Sequence, residues 1–223
     1  MHKIFLIAGL GADTRLFNNI DLGDNDVIPV DWLEPNERDT LTTYAQKLIH
    51  QYFINDNSIV IGVSLGGMIA VEIAKQVRLN KVILISSIKT VNEAPGYVKV
   101  GKVLPLYKLI PARLLPKLGF MIRHVFGKMN AHDSWLFHDM LRRSSPKFMK
   151  WALGAVLEWR NETVPANLYH IVGDKDLVFN YKNINNATII KGGTHIMIFD
   201  KAKQINKLLK GILKKNETTA GIL

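Results

Sequence analysis

The most informative stretch of the chain is Ser58-Ile-Val-Ile-Gly-Val-Ser-Leu-Gly-Gly-Met68. Its first apolar residues predict a short buried strand, and the residues from Gly67 onward have the spacing of an amphipathic helix. Between them lies Gly62-Val-Ser-Leu-Gly66, which matches the G-x-S-x-G pattern of a nucleophile elbow. In such a turn the flanking glycines leave room for a tight backbone, and the hydroxyl of Ser64 is lifted towards the helix amides. The alternative is a Gly-rich turn with a solvated serine.

Composition restricts the class of protein. The chain has 223 residues, of which 48% are hydrophobic, and this favours one globular domain. No apolar run reaches the roughly 18–20 residues of a membrane span. The N-terminus starts like a signal peptide but reaches Gly9-Leu-Gly11 too soon, so we interpret it as a strand and expect a cytoplasmic protein. The absence of cysteine excludes disulfides, thiol catalysis and thiolate metal sites.

Charge is uneven along the chain. The net charge is +10, and residues 91–165 hold 12 Lys and Arg against 5 Asp and Glu, a net of +7. Solvated helix faces are the simpler interpretation; the other is an acidic partner or an anionic substrate near this segment. We expect no nucleic-acid partner.

Apolar runs predict six strands and three flanking helices. The strands are expected near residues 3–8, 26–31, 59–61, 81–87, 167–172 and 187–191. The helices are expected near residues 40–53, with Asp39 or Thr40 as the N-cap, and near 67–77 and 200–214. Alternation of strands and helices requires crossover connections, so we predict an α/β fold of about six mostly parallel strands with helices on both faces.

The alternation breaks between about Thr90 and Pro165. Apolar residues there recur at helical spacing and prolines separate them, which predicts three to five helices. The groups are Val103, Leu106, Leu109-Ile110; Phe120, Ile122, Val125-Phe126; Trp135-Leu136, Met140-Leu141; and Phe148, Trp151-Ala152, Val156. We interpret 91–165 as a helical cap insert between core segments 1–90 and 166–215, and 216–223 as a flexible tail. The apolar residues serve either plain packing or the lining of an apolar pocket.

Three chemically active residues each follow a predicted strand, in the order Ser64, Asp176, His195. The carboxyl ends of parallel strands share one edge of a sheet, so these residues are expected to meet there. A serine needs a base to take its proton, and a carboxylate on the far ring nitrogen fixes the tautomer of that base. The oxyanion would be held by the backbone N–H groups of Leu10 and Leu65.

Other residues offer weaker alternatives. Asp174 competes with Asp176 for the third position, and His170 is expected to be a buried or surface histidine within a strand. Ser86 and Ser87 end a strand but lack elbow glycines, and the i, i+6 spacing of His132 and His138 does not suit metal ligands on one helix face. The loop after the first strand has Thr at position 14, so the G-x-G-x-x-G spacing fails. We therefore expect no cofactor and no metal.

Over nearly its full length the chain resembles the α/β-hydrolases. The resemblance rests on Ala8-Gly-Leu-Gly11, Gly62-Val-Ser-Leu-Gly66, Gly173-Asp-Lys-Asp176 and Gly193-Thr-His195, with a helical insert where that family carries its cap. In the family the acid closes a G-x-x-D motif, which implies Asp176 rather than Asp174. Two positions depart from the family pattern. The first loop of the family commonly begins His-Gly, whereas this chain has Ala8-Gly9. A proline often follows the acid by a few residues, and Phe179 stands near that place in this chain.

The resemblance implies a compact, capped serine carboxylesterase or thioesterase that acts on a small or acyl-chain substrate through an acyl-enzyme. The basic insert is similar to that of small carboxylesterases that act on acyl chains carried by acidic proteins, so an acidic carrier protein is one implied partner. Two alternatives stay open, because a fold does not fix a function. One is a lyase or C–C bond hydrolase on the same triad, and the other is a non-catalytic binding protein.

Overall fold

The computed structural model describes residues 2–117, 126–127 and 129–215. Six strands form one sheet in the order β2-β1-β3-β4-β5-β6, and all neighbours are parallel. The strands are β1 Lys3–Ile7, β2 Asp26–Val30, β3 Ile59–Val63, β4 Lys81–Ile85, β5 Leu168–Gly173 and β6 Thr188–Ile190. The predicted parallel α/β sheet is therefore confirmed.

The strand order places a switch point between β1 and β3. From β1 the chain moves outward to β2, and it then returns to the opposite side of β1 to form β3. In open α/β sheets the loops that follow two such strands diverge and leave a crevice at the carboxyl edge. The loop after β1 and the turn after β3 border this crevice.

Seven α-helices have described bounds. They are α1 Leu41–Tyr52, α2 Leu65–Ala74, α3 Gly96–Val103, α4 Ala131–Arg143, α5 Pro146–Glu158, α6 Met197–Asp200 and α7 Ala202–Lys214. Of the two N-cap candidates for α1, Thr40 is the cap: its side chain accepts from the amide of Thr43, and the Thr43 hydroxyl accepts from the amide of Thr40. This reciprocal pair satisfies two amides at the start of the helix.

The central strands β1, β3 and β4 are buried on both faces, and alternate residues face different helices. On one face, Phe5 and Ile7 pack with α1 and α2 and with the insert helix α5. On the other face, Ile4 and Leu6 pack with α6 and α7 and with the insert helix α4. The insert is therefore joined to both layers of the core.

The cap-like helical insert connects β4 to β5 and contains α3, α4 and α5. The spacing of Val103, Leu106 and Leu109 suggested one helix, and this is wrong: α3 ends at Val103, and a 3-10 helix, Leu106–Leu109, follows Pro105. A proline cannot continue the hydrogen bonds of an α-helix, and the three residues end up exposed. The apolar group at 120–125 and the expected tail at 216–223 lie outside the described residues.

No helix within residues 2–117, 126–127 and 129–215 combines the length and apolar character that a membrane span requires.

Candidate active site

The turn after β3 is built by close backbone contacts. Ser64 has φ 53° and ψ −117°, a conformation that side chains rarely adopt, and it immediately precedes α2. A Cβ on Gly62 would lie 2.2 Å from the carbonyl oxygen of Gly66, and a Cβ on Gly66 would lie 2.2 Å from that of Ile7. The two motif glycines thus allow close backbone contacts within the turn and between the turn and β1. These contacts hold Ser64 at the edge of the sheet.

Ser87, two residues after the end of the neighbouring strand β4, supports the same turn. Its Oγ donates a hydrogen bond of 2.7 Å to the carbonyl oxygen of Ser64. A Cβ on Gly67 would lie 2.4 Å from that Oγ, so the third glycine of the stretch makes room for the brace. Sequence reasoning considered Ser87 only as a weak nucleophile candidate and missed this supporting role.

The structure brings Ser64, His195 and Asp176 into one hydrogen-bonded relay. Oγ of Ser64 is 3.0 Å from Nε2 of His195, and Nδ1 of His195 is 2.9 Å from Oδ2 of Asp176. Because a carboxylate can only accept, the network assigns the proton of the neutral imidazole to Nδ1. Nε2 is then free to accept from the Ser64 hydroxyl. His195 and Asp176 are each 6% exposed, so the relay is largely shielded from water.

The second carboxylate oxygen of Asp176 is held by backbone. Oδ1 accepts from the amides of Val178 at 2.8 Å and Phe179 at 2.9 Å. A proline at position 179 could not make the second bond, because it has no N–H. Asp174 has a different role: its Oδ1 accepts from the amide of Gly192 at 2.6 Å. Of the two candidate carboxylates, Asp176 is the one in contact with His195.

Two phenylalanines flank the His195 ring. Phe126 from the insert has its ring centroid 5.6 Å away, and Phe179 stands edge-on at 5.5 Å. Both rings bring apolar surface to the imidazole, which limits its rotation and lowers the local dielectric constant. Electrostatic interactions within the relay are strengthened in such surroundings.

The loop after β1 lies directly against Ser64. A Cβ on Gly9 would be 3.3 Å from Cβ of Ser64, so only a glycine allows this approach without displacement. No backbone hydrogen bond among the described residues uses the N–H of Leu10 as donor, and Leu65 is the first residue of α2, where amides lack helical partners. Among the described residues, neither amide therefore has a backbone partner, and both remain candidates for binding a ligand atom.

An ionic cluster ties this loop to the insert. Arg15 bridges Asp13, at 2.7 Å, and Asp139 of α4, at 2.8 Å. Asp139 also pairs with Arg142 and Arg143. Hydrogen bonds from the three arginines, that from Arg15 first, hold the pKa of Asp139 well below its usual range. The insert is therefore anchored to the loop that carries Leu10.

A second link joins the insert to the Asp176 loop. The Tyr97 hydroxyl, at the start of α3, donates to the carbonyl oxygen of Val178 at 2.7 Å. Burial of the hydroxyl, reinforced by the nearby Asp176 carboxylate, raises the pKa of Tyr97 to about 12, so the hydroxyl keeps its proton at neutral pH. The amides of Val178 and Phe179 in the same loop hold Asp176, so Tyr97 supports the loop that orients this carboxylate. No sequence motif indicated this contact.

His170 is a structural histidine. It is buried in β5, and its Nε2–H donates to the carbonyl oxygen of Ser87 at 3.0 Å. Burial, reinforced by the Lys89 ammonium, lowers the pKa of His170 to about 4. His170 is therefore neutral near pH 7 and supports the segment that follows β4 and carries Ser87.

Outside the relay, the described residues include a groove of about 820 Å³ between the start of α1 and α5. It is lined in part by Asp39, Trp151 and Trp159, and none of the three relay residues reaches it. The indole N–H of Trp151 already donates to the carbonyl oxygen of Asp39, and that of Trp159 donates to Glu72. Among the same residues, no group of three or more His, Asp or Glu side chains is placed to hold a metal ion.

The parallel sheet, the turn at Ser64 and the relay together define a class of protein. Comparison with known proteins identifies that class. The model of an alpha/beta hydrolase family matches residues 4–208, and the chain belongs to this family. No curated protein matches the chain significantly by sequence.

Solved structures of similar fold include esterases and a bromoperoxidase. A malate-bound thermophilic esterase from Thermogutta terrifontis is 15% identical, with a TM-score of 0.71 over 96% of this chain and 90% of that one. An esterase from Exiguobacterium antarcticum is 17% identical, with a TM-score of 0.67 over 96% and 92%. A bromoperoxidase from Bacillus anthracis is 16% identical, with a TM-score of 0.66 over 96% and 92%. At these identities the likeness establishes the fold, and the chain is an α/β hydrolase whose reaction must be argued from its own site.

Proposed function

We propose that the protein is a serine hydrolase that cleaves a carboxylic ester or thioester through an acyl-enzyme, with Ser64 as nucleophile, His195 as general base and Asp176 as the orienting carboxylate. The observation that carries the proposal is the continuous relay, with 3.0 Å between Ser64 Oγ and His195 Nε2 and 2.9 Å between His195 Nδ1 and Asp176 Oδ2. A solvated serine in a Gly-rich turn would not require a buried histidine and carboxylate in line behind it.

In the acylation step, Oγ of Ser64 bonds to the carbonyl carbon of the substrate while its proton passes to Nε2 of His195. The resulting imidazolium is stabilised by Asp176, which remains ionised. The oxyanion of the tetrahedral intermediate is placed between the amides of Leu10 and Leu65. Loss of one such donor typically costs about 10²–10³-fold in rate. Collapse of the intermediate transfers the proton from Nε2 to the leaving alcohol or thiol.

Deacylation repeats the sequence with water. His195 takes a proton from water as the water oxygen attacks the acyl carbon, and the second intermediate releases the acid and returns the proton to Ser64. The same two amides hold the oxyanion in both halves of the reaction. His195 thereby acts as base in the first part of each half-reaction and as acid in the second.

The neighbourhood of the relay favours an apolar acyl or aryl group in the substrate. Leu10 and Phe126 pack into a cluster formed with α4, which includes Phe137 and Leu141. A Cβ on Gly11 would lie 2.8 Å from Cδ1 of Leu141, so the insert sits directly on the Leu10 loop. An acyl chain bound at Ser64 would therefore contact apolar side chains of the insert.

The test is hydrolysis of p-nitrophenyl esters from acetyl to dodecanoyl, run beside Ser64→Ala. We expect turnover that Ser64→Ala abolishes, and the chain length of the best ester would give the depth of the acyl site. Labelling of Ser64 by a fluorophosphonate probe separates the remaining possibilities. Labelling without ester turnover would favour a lyase or C–C bond hydrolase, and neither labelling nor turnover from folded protein would favour a binding protein.

A further inference from the structure

Part of the insert presents apolar side chains to solvent. Val103 is 84% exposed and Leu109 is 80% exposed. Four neighbours in the same segment are also exposed, and we call the six together the apolar ridge: Val100, Val103, Leu104, Leu106, Leu109 and Leu114. Single exposed apolar residues are common on proteins, whereas a run of them within 15 residues marks an interaction surface.

The ridge is a consequence of how α3 packs. Val98 is buried, and Gly101, three residues later, faces Leu157 of α5, where an added Cβ would lie 3.1 Å from its Cδ2. Because Val98 and Gly101 face the protein, the opposite side of α3 faces solvent. Val100, Val103 and Leu104 lie on that side. After Pro105 the chain continues as short 3-10 helices that keep Leu106 and Leu109 outside.

Charge along the segment that carries the ridge has one sign. Between residues 94 and 132 the sequence contains seven Lys and Arg and neither Asp nor Glu. Within the described part, Lys102, Lys108 and Arg113 are exposed and alternate with ridge residues. Elsewhere the charges are mixed, as in the paired cluster of Arg15 and Asp139. The ridge is therefore an apolar surface set in a purely cationic segment.

We propose that residues 96–117 dock the protein peripherally on an anionic lipid bilayer, with the apolar ridge in the interface and its cations on the lipid phosphates. Leucine and valine side chains gain free energy when they enter the acyl boundary, and lysines are attracted by the negative surface. Neither term alone gives firm anchoring, and the segment combines both.

An acidic protein is the competing partner for this surface, and the ridge fits it less well. Val103 and Leu109 are 84% and 80% exposed, so a protein would have to supply pockets that enclose each of them, whereas a bilayer deforms around them. Protein interfaces concentrate their binding energy in Trp, Tyr and Arg. The ridge consists of Val and Leu, and its cations are chiefly Lys.

The experiment is sedimentation of the full chain with vesicles of phosphatidylcholine alone and with vesicles in which phosphatidylglycerol replaces part of the lipid. We expect binding to the anionic vesicles only, weakened by salt. Val103→Ser with Leu109→Ser should lower the partition coefficient about 100-fold, about tenfold for each side chain withdrawn from the acyl boundary. Lys102→Gln with Lys108→Gln should lower it about 25-fold, about fivefold for each lysine.

Matched controls remove similar groups from other elements. Lys207→Gln with Lys210→Gln takes the same charge from exposed positions of α7, and Phe53→Asn removes a side chain that is 80% exposed at the end of α1. Both should leave vesicle binding within about twofold. A lysine acts on the membrane surface only within about a Debye length, and Phe53 lies outside the ridge. All variants alter exposed side chains, and thermal unfolding verifies that they stay folded.

Three outcomes would overturn the proposal: no sedimentation with either vesicle, equal sedimentation with both, or equal losses in the ridge and control variants. Binding to an acidic protein that the ridge variants abolish, without vesicle binding, would assign the surface to that partner instead. The measurement needs no turnover, so its result is independent of whether Ser64 is a nucleophile.

Discussion

Replacing Asp176 by asparagine changes one atom of the relay and should nearly abolish hydrolysis. Oδ1 of residue 176 would keep its hydrogen bonds from the amides of Val178 and Phe179, since an amide oxygen accepts as a carboxylate oxygen does. These two bonds fix the orientation of the side chain, so the NH₂ group must face Nδ1 of His195. Because NH₂ only donates, Nδ1 becomes the acceptor and the ring proton moves to Nε2. Nε2 then points a proton at Ser64 and can no longer act as the base.

The expected loss in kcat is about 10⁴-fold for a wrong tautomer in a triad of this kind. This corresponds to about 5.4 kcal/mol of transition-state stabilisation, from 1.36 kcal/mol for each factor of ten. The KM for the ester should change little, because Asp176 does not touch the substrate. The assay is steady-state hydrolysis of the best p-nitrophenyl ester, with thermal unfolding to show that the variant keeps its fold.

The matched control is Asp174→Asn, two residues away in the same loop. Asp174 accepts one bond from the amide of Gly192, and asparagine can accept it equally. We expect kcat within about twofold of the original, since the relay is untouched. A loss below about tenfold in Asp176→Asn, or an equal loss in Asp174→Asn, would refute the assignment of the carboxylate.

Two further predictions concern the scaffold. The pKa of His170 is lowered to about 4 in the folded state, against about 6.5 in the unfolded chain. Between these two pH values the unfolded chain binds more protons at this residue than the folded one does. The free energy of unfolding should therefore fall by roughly 3 kcal/mol as the pH drops from about 6.5 to 4. Urea titrations at the two pH values measure this, and an equal fall in His170→Gln would contradict it. Gly66→Ala should cost more than about 3 kcal/mol of stability, since its Cβ would lie 2.2 Å from the Ile7 carbonyl oxygen. The control is Gly211→Ala in α7, where an added Cβ meets nothing within 4 Å and should stabilise the protein by about 0.5–1 kcal/mol. The same urea titrations measure both variants. A Gly66→Ala variant of unchanged stability would show that the turn is not tightly packed.

The sheet and the relay residues were predictable because each rests on a local signal. Strands buried on both faces are continuous apolar runs, as in β3 and β4, and no partner has to be known to recognise them. The elbow glycines and the strand-end positions of Asp176 and His195 follow from the same pattern. The preference for Asp176 over Asp174 was strengthened by the family resemblance, and the contact with His195 now supports it from geometry.

Contacts between distant segments were not predictable from local signals. The bond from Ser87 to Ser64 depends on the pairing of β3 with β4, and the bond from Tyr97 to Val178 joins residues 81 positions apart. Helical spacing also misled at Val103 to Leu109, because the spacing of apolar residues is the same whether they meet a core or solvent. Pro105 indicated that the helix stops, but it did not indicate whether the residues after it are buried or exposed.

The insert has a consequence for how the chain could be shortened. β4 and β5 are adjacent and parallel, so the chain must travel back across the sheet between the end of one and the start of the other. Helix α5 makes this return, and its Phe148 and Ala152 belong to the core cluster shared with α1 and α2. The segment over the site is thus also the crossover connection of the sheet. A minimal form could lose α3 and α4 and still connect its strands, but it would have to keep α5 or replace it by another crossover helix.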